Sequence, residues 1–293
     1  MVLPFRFGVN LTVPGSRAAW IEKCRRAEEL GYDVIGVPDH LNLPAPFPAL
    51  MLAASVTERP RLNTFVLNTP FYNPVLLARD VAGLDQLTDG RVELGLGAGY
   101  VQAEFDAAGI PFPSAGERVR HLEHTIGTLR ELFTNPEYQP APAQPGGPPL
   151  LIAGWGERVL RLAAERADII AFTGGHAADS GHISLADSAT TAKKTDYVRE
   201  LLGARGDRVE LNLLIQAVVE PEDRDAALER LTTHLPFGLA DDPADIPTLL
   251  IGRLDEMAAA LQQRRDRFGF NYFSVLEHNM ERFAPLIPLL RGE

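Results

Sequence analysis

Asp39 and His40 are adjacent in the sequence and combine two side chains that suit proton transfer. An imidazole titrates near neutral pH, so His40 can protonate or polarise a substrate. The carboxylate of Asp39 can orient that ring or a neighbouring amide. Either residue can instead serve on the surface or cap a helix. Their position after the β-like run Val34–Val37 favours the chemical use, since strand ends carry the reactive groups of many α/β enzymes.

Glycine-rich turns provide a second set of candidate residues. Three β-like runs end in such turns, which are Gly97-Ala98-Gly99-Tyr100, Gly154-Trp155-Gly156 and Thr173-Gly174-Gly175-His176. Glycine lets backbone amides approach a ligand, and a helix that starts directly afterwards favours an anion such as phosphate. The turn at Gly154, which leads into a helix from Glu157, fits this pattern. A plain tight turn has the same composition, so both interpretations stay open.

Other chemistries find less support in the sequence. The run from Gly95 to Gly99 lacks the glycine spacing of a dinucleotide-binding loop. His121 and His124 lie on one predicted helix, but no cysteine or carboxylate cluster completes a metal site. In a barrel of strands and helices, such a helix also lies on the outside, away from the strand ends that form the active site. There is no Gly-x-Ser-x-Gly segment for a serine hydrolase. The strand ends carry too few histidines and carboxylates for a metal-dependent hydrolase. We therefore predict no metal.

The elements that must position these residues alternate between short β-like runs and longer helix-period runs. Such alternation is typical of a parallel sheet covered by crossover helices. The predicted strands are Phe5–Asn10, Val34–Val37, Arg61–Leu67, Val92–Leu96, Leu150–Ala153, Ile169–Phe172, Leu211–Val219 and Phe273–Leu276. The predicted helices are Ser16–Leu30, Met51–Thr57, Pro74–Leu87, Glu117–Phe133, Glu157–Arg166, Ala192–Leu202 and Met280–Leu290.

Eight such units in 293 residues predict an α/β fold, a (β/α)8 TIM barrel that forms one domain over residues 1–293. A polar insertion after strand six, Gly174 to Thr191, shows no strand or helix pattern. In a barrel of this kind the active face is built from the C-terminal ends of the strands. The candidate residues above fall at those ends.

The bulk composition restricts the possible partners. A formal net charge of −11 argues against a nucleic-acid partner, since phosphate backbones need a basic face. The N-terminal segment does not read as a secretory signal, and no run approaches the about 20 apolar residues of a spanning helix, so no membrane partner is expected. The single cysteine, Cys24, excludes an internal disulfide and suits a reducing compartment. We expect a cytoplasmic protein that acts on a small molecule.

The strand-end motifs resemble those of luciferase-like oxidoreductases that depend on the deazaflavin coenzyme F420. The similar segments are Val37-Pro-Asp-His40, Phe65 to Pro74, Leu76 to Asp80, Leu84 to Tyr100, Glu104-Phe105, Glu117-Arg118, Leu151 to Gly156, Leu160 to Phe172 and Leu250 to Leu254. The resemblance covers nearly the whole chain. The stretch from Leu84 to Gly99 is its most specific part, and the region from Gly175 to Thr191 matches least.

This resemblance implies hydride transfer between C5 of F420 and a small organic substrate, with His40 supplying or taking the accompanying proton. It also implies a non-prolyl cis peptide within Leu67-Asn68-Thr69. Lys193 or Lys194 either meets the acidic coenzyme tail or is a solvated charge at a helix start. From the strand ends and the resemblance together, we predict that the cofactor is bound by Asp39, Leu67, Asn68, Thr69, Gly97, Ala98, Gly99, Tyr100, Gly154, Gly156, Thr173, Gly174 and Gly175.

The substrate pocket is predicted to involve Phe47, Phe71, Trp155 and His278. The three aromatic side chains suit a plain core position equally well. A histidine after the last strand can likewise do no more than hydrogen-bond to backbone.

One departure from the family bears on the substrate. Its sugar-phosphate dehydrogenases carry a tryptophan shortly after the matching histidine and a glutamate at the position of Tyr100. This sequence instead reads Leu41-Asn42-Leu43-Pro44 after the histidine and has a tyrosine at position 100. A sugar phosphate is therefore not the expected substrate. Two alternatives stay open, an FMN-dependent luciferase-like monooxygenase and a catalytically silent flavin-binding barrel. The resemblance and the prevalence of twofold assemblies predict a homodimer.

Overall fold

Eight parallel strands close into a ring in the computed structural model, which describes residues 3–12, 15–177, 183–223, 229 and 243–292. Each strand pairs with the next along the chain, and the last pairs with the first in the register Arg6↔Tyr272. The predicted (β/α)8 barrel is confirmed. Its strands are β1 Arg6–Asn10, β2 Val34–Val37, β3 Arg61–Thr64, β4 Val92–Gly97, β5 Leu150–Ala153, β6 Ile169–Phe172, β7 Glu210–Ile215 and β8 Tyr272–Leu276.

Helices follow the strands and cover the outside of the ring. The described α-helices are Arg17–Glu29, Pro46–Ala54, Pro74–Leu87, Gln102–Ala108, Ala115–Thr134, Glu157–Arg166, Ser188–Leu202, Leu254–Phe268, Met280–Phe283 and Leu286–Arg291. Local signals set several of their ends. Ser16 accepts the amide of Ala19 at the start of the first helix, and Ser114 and Glu117 form a capping box before the longest one. None of the described helices is long and apolar enough to cross a membrane.

Alternate residues of a strand face two different environments. On β6, Ile170 and Phe172 pack in the layer between the strands and the helices, whereas Ile169 and Ala171 belong to a separate cluster with Tyr272. That second cluster fills the centre of the ring. The centre of the barrel is therefore packed with side chains, as is usual for this fold.

Charged side chains are buried at the N-terminal end of the ring. Glu93 on β4 has a side chain that is only 2% exposed, and it forms ion pairs with Arg6 and with Arg61, the latter at 2.6 Å. Arg6 also pairs with Glu210 at 2.5 Å and lies 4.8 Å from the ring centroid of Tyr272. A carboxylate buried this deeply needs such partners, because its desolvation is otherwise uncompensated.

The third strand is shorter than predicted. β3 ends at Thr64, and a two-residue pairing with β4 follows at Leu67–Asn68. The peptide between Phe65 and Val66 is cis. A non-prolyl cis bond was predicted within Leu67-Asn68-Thr69. The structure has such a bond, but the predicted position is wrong, because the bond directly follows the end of β3.

The seventh strand is divided between two sheets. The predicted run Leu211–Val219 contains β7 and a separate strand, Ala217–Val219, which pairs in parallel with Leu249–Ile251 outside the ring. The change of partner occurs at Gln216, whose amide donates to the carbonyl of Thr248 at 2.8 Å. The polar side chain of Gln216 does not reveal such a change by itself, because the polar Asn212 lies inside β7.

Several helices also differ from the predicted ones, and Gln102–Ala108 was not predicted. The predicted helix Met280–Leu290 is broken near Pro285, which has no backbone N–H to continue it. The short helix predicted at Met51–Thr57 begins earlier, at Pro46, since proline suits the first turn of a helix. The helix Leu254–Phe268 was not predicted.

The insertion after strand six has regular structure, contrary to the prediction. It contains two short antiparallel strands, Gly175–Ala177 and Ile183–Leu185, and the segment between them lies outside the described residues. The next helix begins at Ser188 and not at Ala192. Its N-cap is Asp187, whose side chain accepts a first-turn amide at 2.7 Å.

Candidate active site

A histidine and a carboxylate form a pair at the C-terminal mouth of the barrel. Nδ1 of His40 lies 2.8 Å from Oε1 of Glu104. His40 follows β2, and Glu104 belongs to the helix Gln102–Ala108 after β4. The side chain of Glu104 is 15% exposed and that of His40 is 36% exposed, so the carboxylate is shielded while the ring reaches solvent. A carboxylate beside Nδ1 favours the tautomer that carries the ring proton on Nδ1, which leaves Nε2 without a proton.

The sequence alone gave no role to Glu104. It stands 64 positions from His40 along the chain, and only the closure of the barrel brings the two together. The signal that could have identified it is a carboxylate one helical turn after the glycine-rich end of a strand.

Asp39 connects the ends of two neighbouring strands. Its Oδ2 accepts the backbone N–H of Asn68 at 2.9 Å, and the Tyr72 hydroxyl also hydrogen-bonds to it. Burial raises the pKa of Asp39, and the hydrogen bonds and the nearby His40 offset that effect only in part. The observed contacts of Asp39 hold the loop after β3 against the end of β2.

We expect ionised Asp39 to destabilise the fold. Because its pKa is higher in the folded protein than in the unfolded chain, the free energy of unfolding falls as the pH rises through the carboxyl range. Asp39→Asn retains an acceptor for the Asn68 amide and does not titrate. Its stability relative to the wild type should therefore increase between about pH 4 and about pH 7. Urea unfolding at both pH values measures this, with the exposed Asp106→Asn as control. A difference that does not change with pH would contradict the expectation.

Gly97 and Gly99 make room for the loop that follows β3. A Cβ at Gly97 would lie 2.8 Å from Cγ2 of Val66, and one at Gly99 would lie 2.2 Å from Oδ1 of Asn68. Gly99 also has a φ of 74°, which favours glycine. The Thr69 hydroxyl donates to the carbonyl of Gly97 at 2.8 Å. Packing within the protein thus accounts for these two glycines, and their contact with a cofactor stays a prediction.

Two buried amide side chains at this end of the barrel have polar atoms without a partner in the described parts of the chain. They are Nδ2 of Asn10, at the end of β1, and Oδ1 of Asn68. The two residues are 3% and 5% exposed. An unsatisfied buried donor or acceptor costs about 1–3 kcal/mol, so a ligand that offers both an acceptor and a donor would stabilise this region. The edge of a flavin or deazaflavin ring carries both kinds of group and fits these residues.

Four other predicted cofactor residues lie after β3, β4 and β5. Leu67 is fully buried, and Ala98 is partly buried against the core. Gly154 forms a tight turn, since a Cβ there would lie 2.5 Å from Cγ1 of Val159. Gly156 is the N-cap of the following helix, and a Cβ there would meet no other atom within 4 Å. Only Gly156 therefore leaves open space at the start of that helix.

The turn after β6 is held by its own neighbours. The Thr173 hydroxyl donates to the carbonyl of Gly175 at 3.3 Å. Gly174 has a φ of 74°, and a Cβ there would lie 2.0 Å from Cγ2 of Thr248. This turn therefore packs closely against the segment that leads into the outer strand Leu249–Ile251.

Aromatic side chains surround the loops at the mouth. Phe47 meets Tyr72 edge-on with ring centroids 6.5 Å apart, and Phe71 lies 4.9 Å from Phe105. Tyr72 contacts Asp39, and Phe105 follows Glu104 in the sequence. Phe47 and Phe71 thus pack beside the residues that flank His40.

Three further predicted residues have different surroundings. Tyr100 is half exposed, and both burial of its hydroxyl and the charge of Glu104 raise its pKa. Trp155 is buried edge-on against Phe172, between the strands and the helices. His278 is exposed in a short 3-10 helix directly after β8. Of these three, Tyr100 is the residue that interacts with the His40–Glu104 pair.

The described residues contain no group of three histidine, cysteine, aspartate or glutamate side chains placed to hold a metal ion. His121, one of the two helical histidines, instead places Nε2 3.1 Å from the carbonyl of Thr69. His124 is exposed on the same helix. The contact of His121 supports the loop after β3.

Enzymes built on a parallel (β/α)8 barrel carry their active sites among the loops at the C-terminal ends of the strands. The His40–Glu104 pair lies among those loops in this chain. The family model described as luciferase-like monooxygenase matches residues 1–271. The chain belongs to this family. The recognition made from the strand-end motifs is confirmed.

Similar sequences include two F420-dependent glucose-6-phosphate dehydrogenases. The protein of Intrasporangium calvum is 34% identical, over 91% of this chain and 93% of the relative. That of Kribbella flavida is 28% identical, over 92% and 93% of the two chains. The family assignment therefore holds over nearly the full length of both relatives.

Similar solved structures include an F420-dependent secondary alcohol dehydrogenase in complex with an F420–acetone adduct, with a TM-score of 0.77, 19% identity and coverage of 99% of this chain and 100% of that chain. A monooxygenase from Streptomyces bottropensis has a TM-score of 0.78 and 21% identity, over 97% and 99% of the two chains. At these identities, the likeness shows a shared fold.

Proposed function

We propose that this protein is an F420-dependent oxidoreductase that transfers a hydride between C5 of F420 and a small organic substrate at the C-terminal mouth of the barrel. The His40–Glu104 pair carries the proposal, because it supplies a proton-transfer group within a family whose similar members depend on F420. F420, when bound, supplies the hydride chemistry that amino-acid side chains lack.

His40 moves the proton that accompanies the hydride. Oxidation of an alcohol releases a hydroxyl proton that Nε2 accepts, and reduction of a carbonyl takes a proton from the same atom. Glu104 holds the ring through Nδ1 and stabilises the imidazolium that forms when Nε2 is protonated. Glu104 is thus a positioning residue, and His40 is the catalytic one.

The loops after β2, β3, β4, β5 and β6 hold the cofactor. Asn10 joins the residues predicted from the sequence, because its unpaired amide lies at the same end of the barrel as that of Asn68. The full set is Asn10, Asp39, Leu67, Asn68, Thr69, Gly97, Ala98, Gly99, Tyr100, Gly154, Gly156, Thr173, Gly174 and Gly175.

The substrate that we propose is small, neutral and largely apolar. Leu41, next to His40, is 51% exposed and Tyr100 is 49% exposed, so apolar surface is available beside the catalytic ring. The carboxylate of Glu104 repels an anionic group near His40. Secondary alcohols and ketones fit these surroundings better than glucose 6-phosphate, the substrate in the names of the relatives. We retain Phe47, Phe71 and His278 as pocket residues. Trp155 is buried against Phe172, and this packing does not support a place for it in the substrate pocket.

Equilibrium binding of F420 and, separately, of FMN to the purified protein tests the cofactor assignment. We expect F420 to bind more tightly. Asn68→Ala should weaken F420 binding roughly two- to tenfold, the effect of one hydrogen bond, whereas the exposed Asn135→Ala should not. A preference for FMN would instead support a monooxygenase. Binding of neither would overturn the proposal.

Turnover assays of the same protein then test the reaction. With F420 bound, we expect oxidation of neutral secondary alcohols, or reduction of the matching ketones, in preference to reaction of glucose 6-phosphate. Tight F420 binding without turnover of either class would favour a catalytically silent barrel.

We also propose a single domain over residues 1–293, a homodimer and a cytoplasmic location. The ring of strands from Arg6 to Leu276 supports the first, and the prevalence of twofold assemblies supports the second. The single cysteine suits a reducing compartment. Light scattering on the purified chain tests the dimer.

A further inference from the structure

A small crevice opens between two outer helices. It lies between Ser188–Leu202 and Leu254–Phe268 and has a volume of about 70 Å³. Arg264, Arg267 and Gln263 contribute its charged and amide groups. No carboxylate side chain is among the described residues that line it, although the chain as a whole carries a net charge of −11.

Arg264 is the unusual member of this lining. The residue is only 8% exposed, and its Nη2 donates to the carbonyl of Leu249 at 2.7 Å. Its Nη1 has no hydrogen-bond partner, and the guanidinium has no carboxylate partner, within the described ranges. Burial lowers the pKa of Arg264 to about 10. Arg6, by contrast, is a half-buried arginine at the N-terminal end of the ring and is paired with two carboxylates.

A buried cation without a counter-charge is costly, because its desolvation is not compensated. The guanidinium is planar and presents its N–H groups in a geometry that suits a phosphate or carboxylate oxygen. The Ser188 hydroxyl already donates to the carbonyl of Asp245 at 2.8 Å, so the free donors of the crevice belong to Arg264, Arg267 and Gln263. The crevice thus combines positive charge, unused N–H donors and space for one small ion.

We propose that this crevice binds a small oxyanion of the phosphate or sulfate type, with the guanidinium of Arg264 as the principal positive charge. Arg267 adds a second positive charge at the exposed rim, and Gln263 adds amide donors. The bound anion supplies the counter-charge that Arg264 lacks among the described residues. This site is independent of the proposed oxidoreductase activity.

Calorimetric titration of the full-length protein with inorganic phosphate tests the proposal. We expect saturable one-to-one binding at millimolar phosphate that is retained when F420 is present. Arg264→Met should weaken it at least tenfold, and Arg267→Gln should weaken it several-fold. Arg79→Gln, which changes an exposed arginine on another helix, is the matched control and should bind as the wild type does.

Direct binding is the readout because phosphate and sulfate stabilise many folded proteins by exclusion from their surfaces. If Arg264→Met does not fold, the exposed variants Arg267→Gln and Gln263→Ala carry the test. Equal phosphate affinity in the wild type and in these variants would overturn the proposal. The absence of any saturable phosphate binding would also overturn the proposal and would indicate that the crevice holds only water.

Discussion

Replacing His40 with alanine is expected to lower kcat/KM by about 10²- to 10⁴-fold without a comparable loss of F420 affinity. The imidazole is the group that we propose to exchange the substrate proton, and the loop contacts of Asp39 and Asn68 do not depend on it. Steady-state turnover and F420 binding, measured on the same preparation, separate these two effects. His124→Ala removes an exposed histidine from an outer helix and should leave both unchanged.

Added imidazole sharpens this test. A small base that enters the space vacated in His40→Ala should restore part of the rate if proton transfer is what was lost. Glu104→Gln should lower kcat while F420 affinity is retained, because it removes the charge that stabilises the imidazolium. Wild-type turnover in His40→Ala, or an equal loss of rate and F420 affinity, would show that the ring has no part in the chemistry.

Glu93→Gln is expected to lower the free energy of unfolding strongly, because Glu93 is a buried carboxylate that is paired with Arg6 and Arg61. Removing one partner of a buried ion pair typically costs about 3–5 kcal/mol. We expect about 3 kcal/mol, at the lower end of that range, because Arg6 keeps Glu210 and Arg61 keeps a 2.8 Å hydrogen bond to Gln144. Urea unfolding measures the free energy of unfolding.

The exposed Glu200→Gln is the matched control, since it makes the same chemical change outside the buried network. It should change the free energy of unfolding by less than about 0.5 kcal/mol. A loss of less than about 1 kcal/mol for Glu93→Gln would mean that the buried pairs only offset their own desolvation.

Several elements could be predicted from the sequence because their signals are local. Val34–Val37, Pro74–Leu87 and Ile169–Phe172 have the bounds that their apolar spacing and flanking residues indicate. β7 could not be separated from the strand that follows it, since one polar residue at Gln216 fits a continuous strand as well as it fits a change of pairing partner. Local patterns in the sequence predict the strands and helices. The pairing partner of each strand depends on the closure of the whole ring.

The candidate site shows the same division. His40 could be predicted because its strand end and its side-chain chemistry both lie within one short segment. Glu104 could not, because its pairing depends on how the loops after β2 and β4 meet. The unpaired amides of Asn10 and Asn68 are likewise visible only from the completed packing.

The closure of the ring also restricts how this protein can associate with other chains. β1 pairs with β8, and β3 pairs with β4, so each strand of the eight-stranded sheet has a neighbour on both sides. Unpaired strand edges are templates on which other chains add strands and aggregate. This sheet presents no such edge, so a second copy cannot join by extending it. Any assembly of two copies must form through the surfaces outside this ring, which are the outer helices, the loops and the short two-stranded sheets.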